Sequence, residues 1–150
     1  MNKLIRLPLS WRRKDTTDSL FIRIGSETNK EWCLNLCLLR ERLIDSLTII
    51  DEEGSYKLRV LLDPSLARRS AVERSQSRGA DAFLSRTELD YWATFFLKYY
   101  RDGVGEVNHL DVEAYPRNPN TARGLGILLQ IANALPPISG EEARRRLGLS

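Results

Sequence analysis

The only histidine of this 150-residue chain stands in a polar ladder whose residue types could do chemistry. His109, Asp111 and Glu113 alternate with apolar residues, so a β-strand would place all three on one side, roughly 6.6 Å apart in succession. An imidazole and two carboxylates are the groups of a metal site or an acid–base pair. Catalytic zinc, however, usually takes three protein ligands with more than one histidine, and two carboxylates are weak evidence for Mg²⁺ or Ca²⁺. The pattern favours a solvated strand face, and we expect no metal and no cofactor.

Other catalytic patterns are missing from the sequence. A nucleophilic serine or cysteine would need His109 as its base, and no Gly-x-Ser-x-Gly elbow occurs in the chain. The two glycines within residues 123–126 lack the lysine of a phosphate-binding loop. Cys33 and Cys37 are four residues apart, which is neither zinc-knuckle nor redox spacing, so we expect small buried residues. A small enzyme or metal-binding protein that uses the histidine ladder therefore ranks third among the functions considered.

Two basic segments suggest a second chemistry, nucleic-acid binding. Residues 1–14 hold five basic residues and no acid, and residues 68–86 hold five arginines against two acids. The candidate contacts are one aromatic ring that could stack on a base and four arginines that could neutralise phosphates: Trp11, Arg12, Arg13, Arg68 and Arg69. No helix-turn-helix, RNP or zinc-finger pattern accompanies them. Nucleic-acid association is therefore the runner-up function.

An acidic, aromatic region suggests the preferred function. Residues 87–115 carry six acids against two bases in a chain whose formal charge is +3. The helix predicted at 86–102 has one apolar stripe expected to face the core: Leu89, Trp92, Ala93, Phe96 and Tyr100. A second stripe and two nearby acids are the predicted partner-binding residues: Tyr91, Phe95, Tyr99, Asp90 and Glu106. Aromatic anchors among carboxylates are typical of a surface that docks a basic protein. The sequence thus predicts a non-enzymatic protein-binding domain of the inhibitor, immunity or adaptor type.

Alternation and turn signals predict the elements that must position these residues. We expect an α+β fold in a single domain spanning 1–150, with a mainly antiparallel sheet of four or five strands and two or three helices packed against it. Strands are expected at 3–9, 20–25, 46–51, 55–62 and 106–115, and helices at 86–102 and 120–134. Segment 30–45 fits both helix and strand, and its composition favours a helix. Segment 64–84 is expected to be a mobile, arginine-rich loop with a weak surface helix. No internal repeat is evident.

Composition limits the class of protein. Hydrophobic residues make up 42% of the chain and charged residues 29%, which is typical of a folded globular domain. Two cysteines give no disulfide framework, and no run of apolar residues approaches a membrane span or a secretory h-region. The sequence therefore predicts a cytoplasmic protein with no membrane partner.

Overall fold

The computed structural model describes residues 1–13, 17–67, 69–76, 78–102, 109–117, 124–131, 140–146 and 148. Within them nine strands form one sheet. The strands are β1 (Asn2–Arg6), β2 (Leu9–Arg13), β3 (Thr17–Ile24), β4 (Ser46–Ile50), β5 (Lys57–Leu62), β6 (Ser70–Gln76), β7 (Gly79–Leu84), β8 (His109–Pro116) and β9 (Gly124–Ile131). The helices are α1 (Ser26–Arg40), α2 (Arg86–Asp102) and the short α3 (Gly140–Arg146). None of the helices in these ranges is long and apolar enough to cross a membrane.

The sheet is larger than expected and is mixed, so the predicted antiparallel sheet of four or five strands is wrong. Its strand order is β1-β4-β5-β7-β6-β8-β9-β3-β2, and parallel and antiparallel neighbours alternate across it. The arginine-rich segment 64–84 contains β6 and β7 in place of a weak helix. The helix expected at 120–134 is replaced by β9, and the strand expected at 3–9 is replaced by β1 and β2.

There is a clear physical reason why residues 124–131 form the strand β9 and not the expected helix. Leu125, Ile127, Leu129 and Ile131 alternate with half-buried residues, which is the period of a strand with one face in the core. Leu125 and Leu129 also fit a helical stripe together with Leu128 and Ala132, and the helix assignment relied on that fit. Two glycines in the first three positions of the segment disfavour a helix and are better tolerated at an irregular strand end.

Other expectations are confirmed. The hairpin of β4 and β5 is antiparallel, with Leu47 opposite Val60. The ambiguous segment is helical as far as Arg40 and then turns, with Arg42 at a positive φ of 60°. The helix expected at 86–102 exists as α2, and Ser85 caps it, because the Ser85 hydroxyl accepts a hydrogen bond from the Glu88 backbone N–H at 3.1 Å. The strand expected at 106–115 exists as β8, and residues 106–108 lie outside the described ranges.

The two ends of the sheet meet in one stretch of chain. The end strands β1 and β2 are separated only by Leu7 and Pro8. The Leu7 backbone N–H donates to the Ile50 carbonyl at 3.1 Å on the β4 side, and the Pro8 carbonyl accepts from the Arg23 N–H at 3.0 Å on the β3 side. Segment 2–13 therefore joins both ends of the strand order, and the sheet closes into a ring.

Eight of the nine described strands, all except β1, form two halves with the same order of elements. Each half is a β-hairpin, a helix and a second hairpin: β2-β3-α1-β4-β5 and β6-β7-α2-β8-β9. The hairpins are antiparallel in both halves, and the halves join through two equivalent parallel contacts, β5 with β7 and β9 with β3. β6 pairs with both β7 and β8, as segment 2–13 pairs with both β3 and β4. An internal repeat therefore exists in the fold, although none was evident in the sequence.

The core lies between the inner face of the ring and the helix pair. Alternate residues of the strands join the helices in one buried cluster. Trp32 of α1 and Trp92 of α2 are fully buried in it, and the Trp32 ring meets Phe96 edge-on at 5.6 Å between centroids. Cys33 is also buried, and burial raises the pKa of its thiol to about 12. The outer face of the sheet is turned away from this core.

Candidate functional site

The outer face of β8 carries the histidine ladder. His109, Asp111 and Glu113 are exposed there, and their neighbours Leu110 and Val112 are buried, as alternation predicted. The His109 Nε2 atom lies 3.6 Å from an oxygen of Asp111. In the antiparallel pairing of β8 with β9, Asp111 lies opposite Leu128. The ladder thus borders a wider outer surface made by β8, β9, β3 and β2.

The ladder does not assemble a metal site in the part of the chain that the structure describes. No group of three or more His, Cys, Asp or Glu side chains there has an arrangement that could hold a metal ion. The Glu113 carboxylate accepts a hydrogen bond from the Tyr115 hydroxyl at 3.3 Å, which directs it along the strand. The three polar side chains form one edge of an outer surface.

A cavity of about 540 Å³ opens where the sheet closes, in the size range of small-ligand and side-chain pockets. We call it the seam pocket. One wall comes from β2 and β3 and includes Trp11, Phe21 and Arg23. The opposite wall is the β4–β5 turn with Glu52 and Glu53. These walls belong to strands at opposite ends of the strand order, so only closure of the ring brings them together.

Trp11 forms the inner end of the seam pocket. Its ring packs on the Tyr56 ring, with centroids 5.5 Å apart and planes tilted by 38°. Tyr56 is buried, and this burial raises the pKa of its hydroxyl to about 12. Trp11 keeps part of its surface accessible, because it is only half-buried. The pocket therefore has an aromatic floor anchored in the core.

The acidic wall is held by a tight turn. The buried Asp51 carboxylate accepts hydrogen bonds from the backbone N–H groups of Ser55 at 2.5 Å and Tyr56 at 3.5 Å, and from the Ser55 hydroxyl. Gly54, at φ +75°, allows the chain to reverse. Burial would raise the Asp51 pKa, but the hydrogen bonds from Ser55, Tyr56 and Gly54 outweigh it and leave the pKa lowered. Asp51 is thus a structural acid, and Glu52 and Glu53 project into solvent.

A second cavity of about 390 Å³ adjoins the first on the outer face. We call it the serine pocket, because Ser10 and Ser19 line it together with Arg12, Phe21 and Leu128. Ser10 and Phe21 line both pockets, so the two are adjacent. Phe21 and Leu128 are direct partners in the β3–β9 register and form an apolar centre.

The helix proposed for partner binding turns out to be mixed in exposure. Tyr91 is 57% exposed, Phe95 is half-buried and Tyr99 is only 6% exposed. Residues four apart on an α-helix advance by about 40° around the axis, so this stripe winds from the surface into the core. Tyr100, expected in the core, is 52% exposed instead.

The structure locates one of the two acids predicted for that helix surface. An oxygen of Asp90 lies 3.9 Å from Nε of Arg40, which links the start of α2 to the end of α1. Glu106 lies outside the described residues. Among the described residues of the predicted partner-binding set, Tyr91 is therefore the aromatic residue with most of its surface exposed.

The basic residues proposed for nucleic-acid binding do not form one surface among the described residues. Arg12 is exposed on β2, whereas the Arg69 guanidinium stacks over the Tyr115 ring at 4.7 Å beside β6. Three strands separate β2 from β6, which is roughly 19 Å at four strand spacings. Trp11 packs on Tyr56, as described above. Arg68 and the side chain of Arg13 are outside what the structure describes.

Comparison with known proteins finds no relative: no family model matches the chain, and no curated protein matches it. The site must therefore be interpreted from its own geometry.

Proposed function

We propose that this protein is a non-enzymatic protein-binding domain, of the inhibitor, immunity or adaptor type, that docks an extended basic segment of its partner at the seam pocket. The observation that carries the proposal is the composition of that pocket, which is lined by the aromatic rings of Trp11 and Phe21 and by the carboxylates of Glu52 and Glu53. Aromatic rings attract the stem and the charge of a lysine or arginine, and carboxylates neutralise it. The class of function is the one expected from the sequence, and the surface is a different one.

The strand beside the pocket supports an extended partner. The ring closes through the pairing of β1 with β4, whereas β2 pairs with β3 and with no other described strand, so the second edge of β2 is unpaired beside the seam. An open edge offers backbone N–H and C=O groups to a further strand, which is a recurrent mode of peptide recognition. A segment added there would direct alternate side chains into the seam pocket.

The charge around the pocket supports a basic partner. The seam pocket contains Asp51, Glu52 and Glu53 against the single base Arg23. The Arg23 guanidinium lies 5.5 Å from the centre of the Phe21 ring. The ladder carboxylates of Asp111 and Glu113 extend the negative charge on the far side of β9. Together these acids favour approach of a cationic segment in a protein whose formal charge is +3.

Intrinsic fluorescence provides the test. Trp32 and Trp92 have no exposed surface, so a ligand in the seam pocket should change the emission of Trp11. The probe is a blocked pentapeptide with a central lysine between valines, compared with the same peptide carrying norleucine. We expect the lysine peptide to bind more tightly, and Glu52→Gln with Glu53→Gln to remove that preference.

The matched control is Glu31→Gln, which removes an exposed carboxylate from α1, away from the pocket. It should leave the preference for lysine unchanged. Equal binding of the lysine and norleucine peptides by the wild-type protein would contradict the proposal, as would a lysine preference that survives loss of both carboxylates.

A further inference from the structure

We infer that the serine pocket is a carboxylate subsite, so that the partner segment carries an acidic side chain two residues from its basic one. This inference rests on the proposed function and adds the second half of the recognition pattern. Arg12 lines the pocket with the hydroxyl-bearing Ser10 and Ser19. A guanidinium and two hydroxyls are donors suited to a carboxylate.

Among the described residues, no ion pair engages the guanidinium of Arg12, so its charge is available to a bound ligand. Other described arginines are engaged: Arg59 forms a two-point ion pair with Asp81 at 2.8 and 3.1 Å, and Arg117 is bound by Asp63. No ion pair or hydrogen bond involves the Arg12 side chain among the described residues, and the residue is exposed. Its place beside an apolar wall of Phe21 and Leu128 reduces competition from water for a bound anion.

The spacing of the two pockets sets the spacing of the partner's charges. The outward positions of β2 are Ser10 and Arg12, which lie opposite Phe21 and Ser19 of β3, and Pro8 lies two residues before Ser10, just outside the strand. Pro8 lines the seam pocket, Arg12 lines the serine pocket, and Ser10 lines both. The pocket centres are therefore displaced by about one two-residue step, roughly 6.6 Å along a strand. An extended segment alongside β2 would direct residues i and i+2 into the two pockets.

The experiment uses peptides that differ in one group. The parent is a blocked heptapeptide with lysine and glutamate two positions apart, made in both orders because the segment could run in either direction. The comparison peptide has glutamine in place of glutamate. In a titration followed by amide chemical shifts, we expect the preferred glutamate peptide to bind roughly threefold to fivefold more tightly than its glutamine partner.

Variants separate this inference from the proposed function. Arg12→Gln should abolish the glutamate preference and keep the lysine preference, whereas the control Arg86→Gln, at the exposed start of α2, should keep both. Equal binding of the glutamate and glutamine peptides with the lysine preference intact would overturn the carboxylate subsite alone. Loss of the lysine preference in the wild-type protein would overturn both. A glutamate preference that persists in Arg12→Gln would place the anion elsewhere and would also overturn the subsite.

Discussion

Trp32 and Trp92 occupy the same position, the seventh, of two helices from the two equivalent halves of the fold, and their ring centroids lie 6.4 Å apart with planes tilted by 30°. The two residues are equally buried but differently bonded. The Trp92 Nε1–H donates to the Glu88 carboxylate at 2.9 Å. The Trp32 Nε1 has no partner among the described residues. The position four residues before Trp32 is Thr28, whose hydroxyl bonds to the Gly25 backbone.

This asymmetry predicts unequal costs for the same substitution. Trp92→Phe removes a hydrogen bond and leaves the Glu88 carboxylate without its donor, whereas Trp32→Phe removes a donor that already lacks a partner. We expect Trp92→Phe to lower the free energy of unfolding by about 1 kcal/mol more than Trp32→Phe. Urea denaturation of the two variants measures the difference. Equal losses would mean that the buried indole of Trp32 has a partner, such as water.

The winding of the aromatic stripe on α2 predicts opposite outcomes for two tyrosines. Tyr91→Ala should change the free energy of unfolding by less than about 0.5 kcal/mol, as expected of an exposed position. Tyr99→Ala should cost about 3 kcal/mol, because it leaves a cavity beside Phe95, whose ring centroid lies 5.3 Å away. Thermal melts of both variants give the comparison. A Tyr99→Ala protein as stable as Tyr91→Ala would place Tyr99 on the surface and revive the helix as a docking surface.

The hydrogen-bonded Asp51 predicts an acid-sensitive turn. Its pKa is lowered from the ordinary value of 3.8 in the folded protein, so its contribution to stability is present above about pH 4 and is lost as the pH falls below that value. Asp51→Asn should therefore destabilise the protein at neutral pH and flatten the fall in stability towards acid. Urea midpoints measured between pH 7 and pH 2.5 check both effects.

Asp63 needs a separate variant in that experiment. Its pKa is also lowered, first by the hydrogen bond from the Ser65 hydroxyl and further by Arg117, so part of the acid dependence should survive in Asp51→Asn. Adding Asp63→Asn should flatten it further. A pH profile of Asp51→Asn that runs parallel to that of the wild type would show that Asp51 titrates alike in the folded and unfolded chain.

Two glycines of β9 provide a matched pair on the outer face. A Cβ at Gly124 would lie 3.2 Å from the Ala114 carbonyl oxygen, whereas at Gly126 the nearest atom is the Asp18 carbonyl oxygen at 3.9 Å. Gly126→Ala should therefore be neutral or slightly stabilising, by up to about 1 kcal/mol through the unfolded state, and Gly124→Ala should be the less stable variant. Melting temperatures decide the order. The reverse order would mean that the strand end at Gly124 relaxes freely.

Elements of the fold could be predicted where the spacing of apolar residues fits only one period, either that of a strand or that of a helix. β8 and the first four residues of β5 alternate cleanly, and α2 has apolar stripes at helical spacing, so two strands and a helix were expected where they are found. β9 fits two periods, and its strand character depends on pairing with β3, more than a hundred residues away along the chain. Among the side chains of β6 that the structure describes, Val72 is the largest buried hydrophobic one, and pairing with β7 and β8 decides the structure of this strand. Distant pairing of this kind leaves little trace in a single sequence.

The candidate site could not be predicted for the same reason. In the sequence, Glu52 and Glu53 have the pattern of an ordinary acidic turn, and Trp11 belongs to a basic segment. Closure of the ring brings these residues together around one pocket. One local signal was present: Phe21 is a large aromatic residue on the solvent side of an alternating strand, between the buried Leu20 and Ile22. This outward aromatic residue lines the seam pocket, whereas the stripes of α2 place three aromatic residues in the core: Trp92, Phe96 and Tyr99.

The Leu7–Pro8 link also determines which parts of the molecule open together. In an open sheet, β3 and β4 would be nearly as far apart as two strands can be, and their amide protons would exchange through separate local openings. Here one stretch of backbone is hydrogen-bonded to both strands, so releasing it exposes the two flanks in the same event. Native-state hydrogen exchange should therefore report one shared opening free energy for the amides of β3 and β4 that bond to segment 2–13. Two distant strands would then form a single cooperative unit.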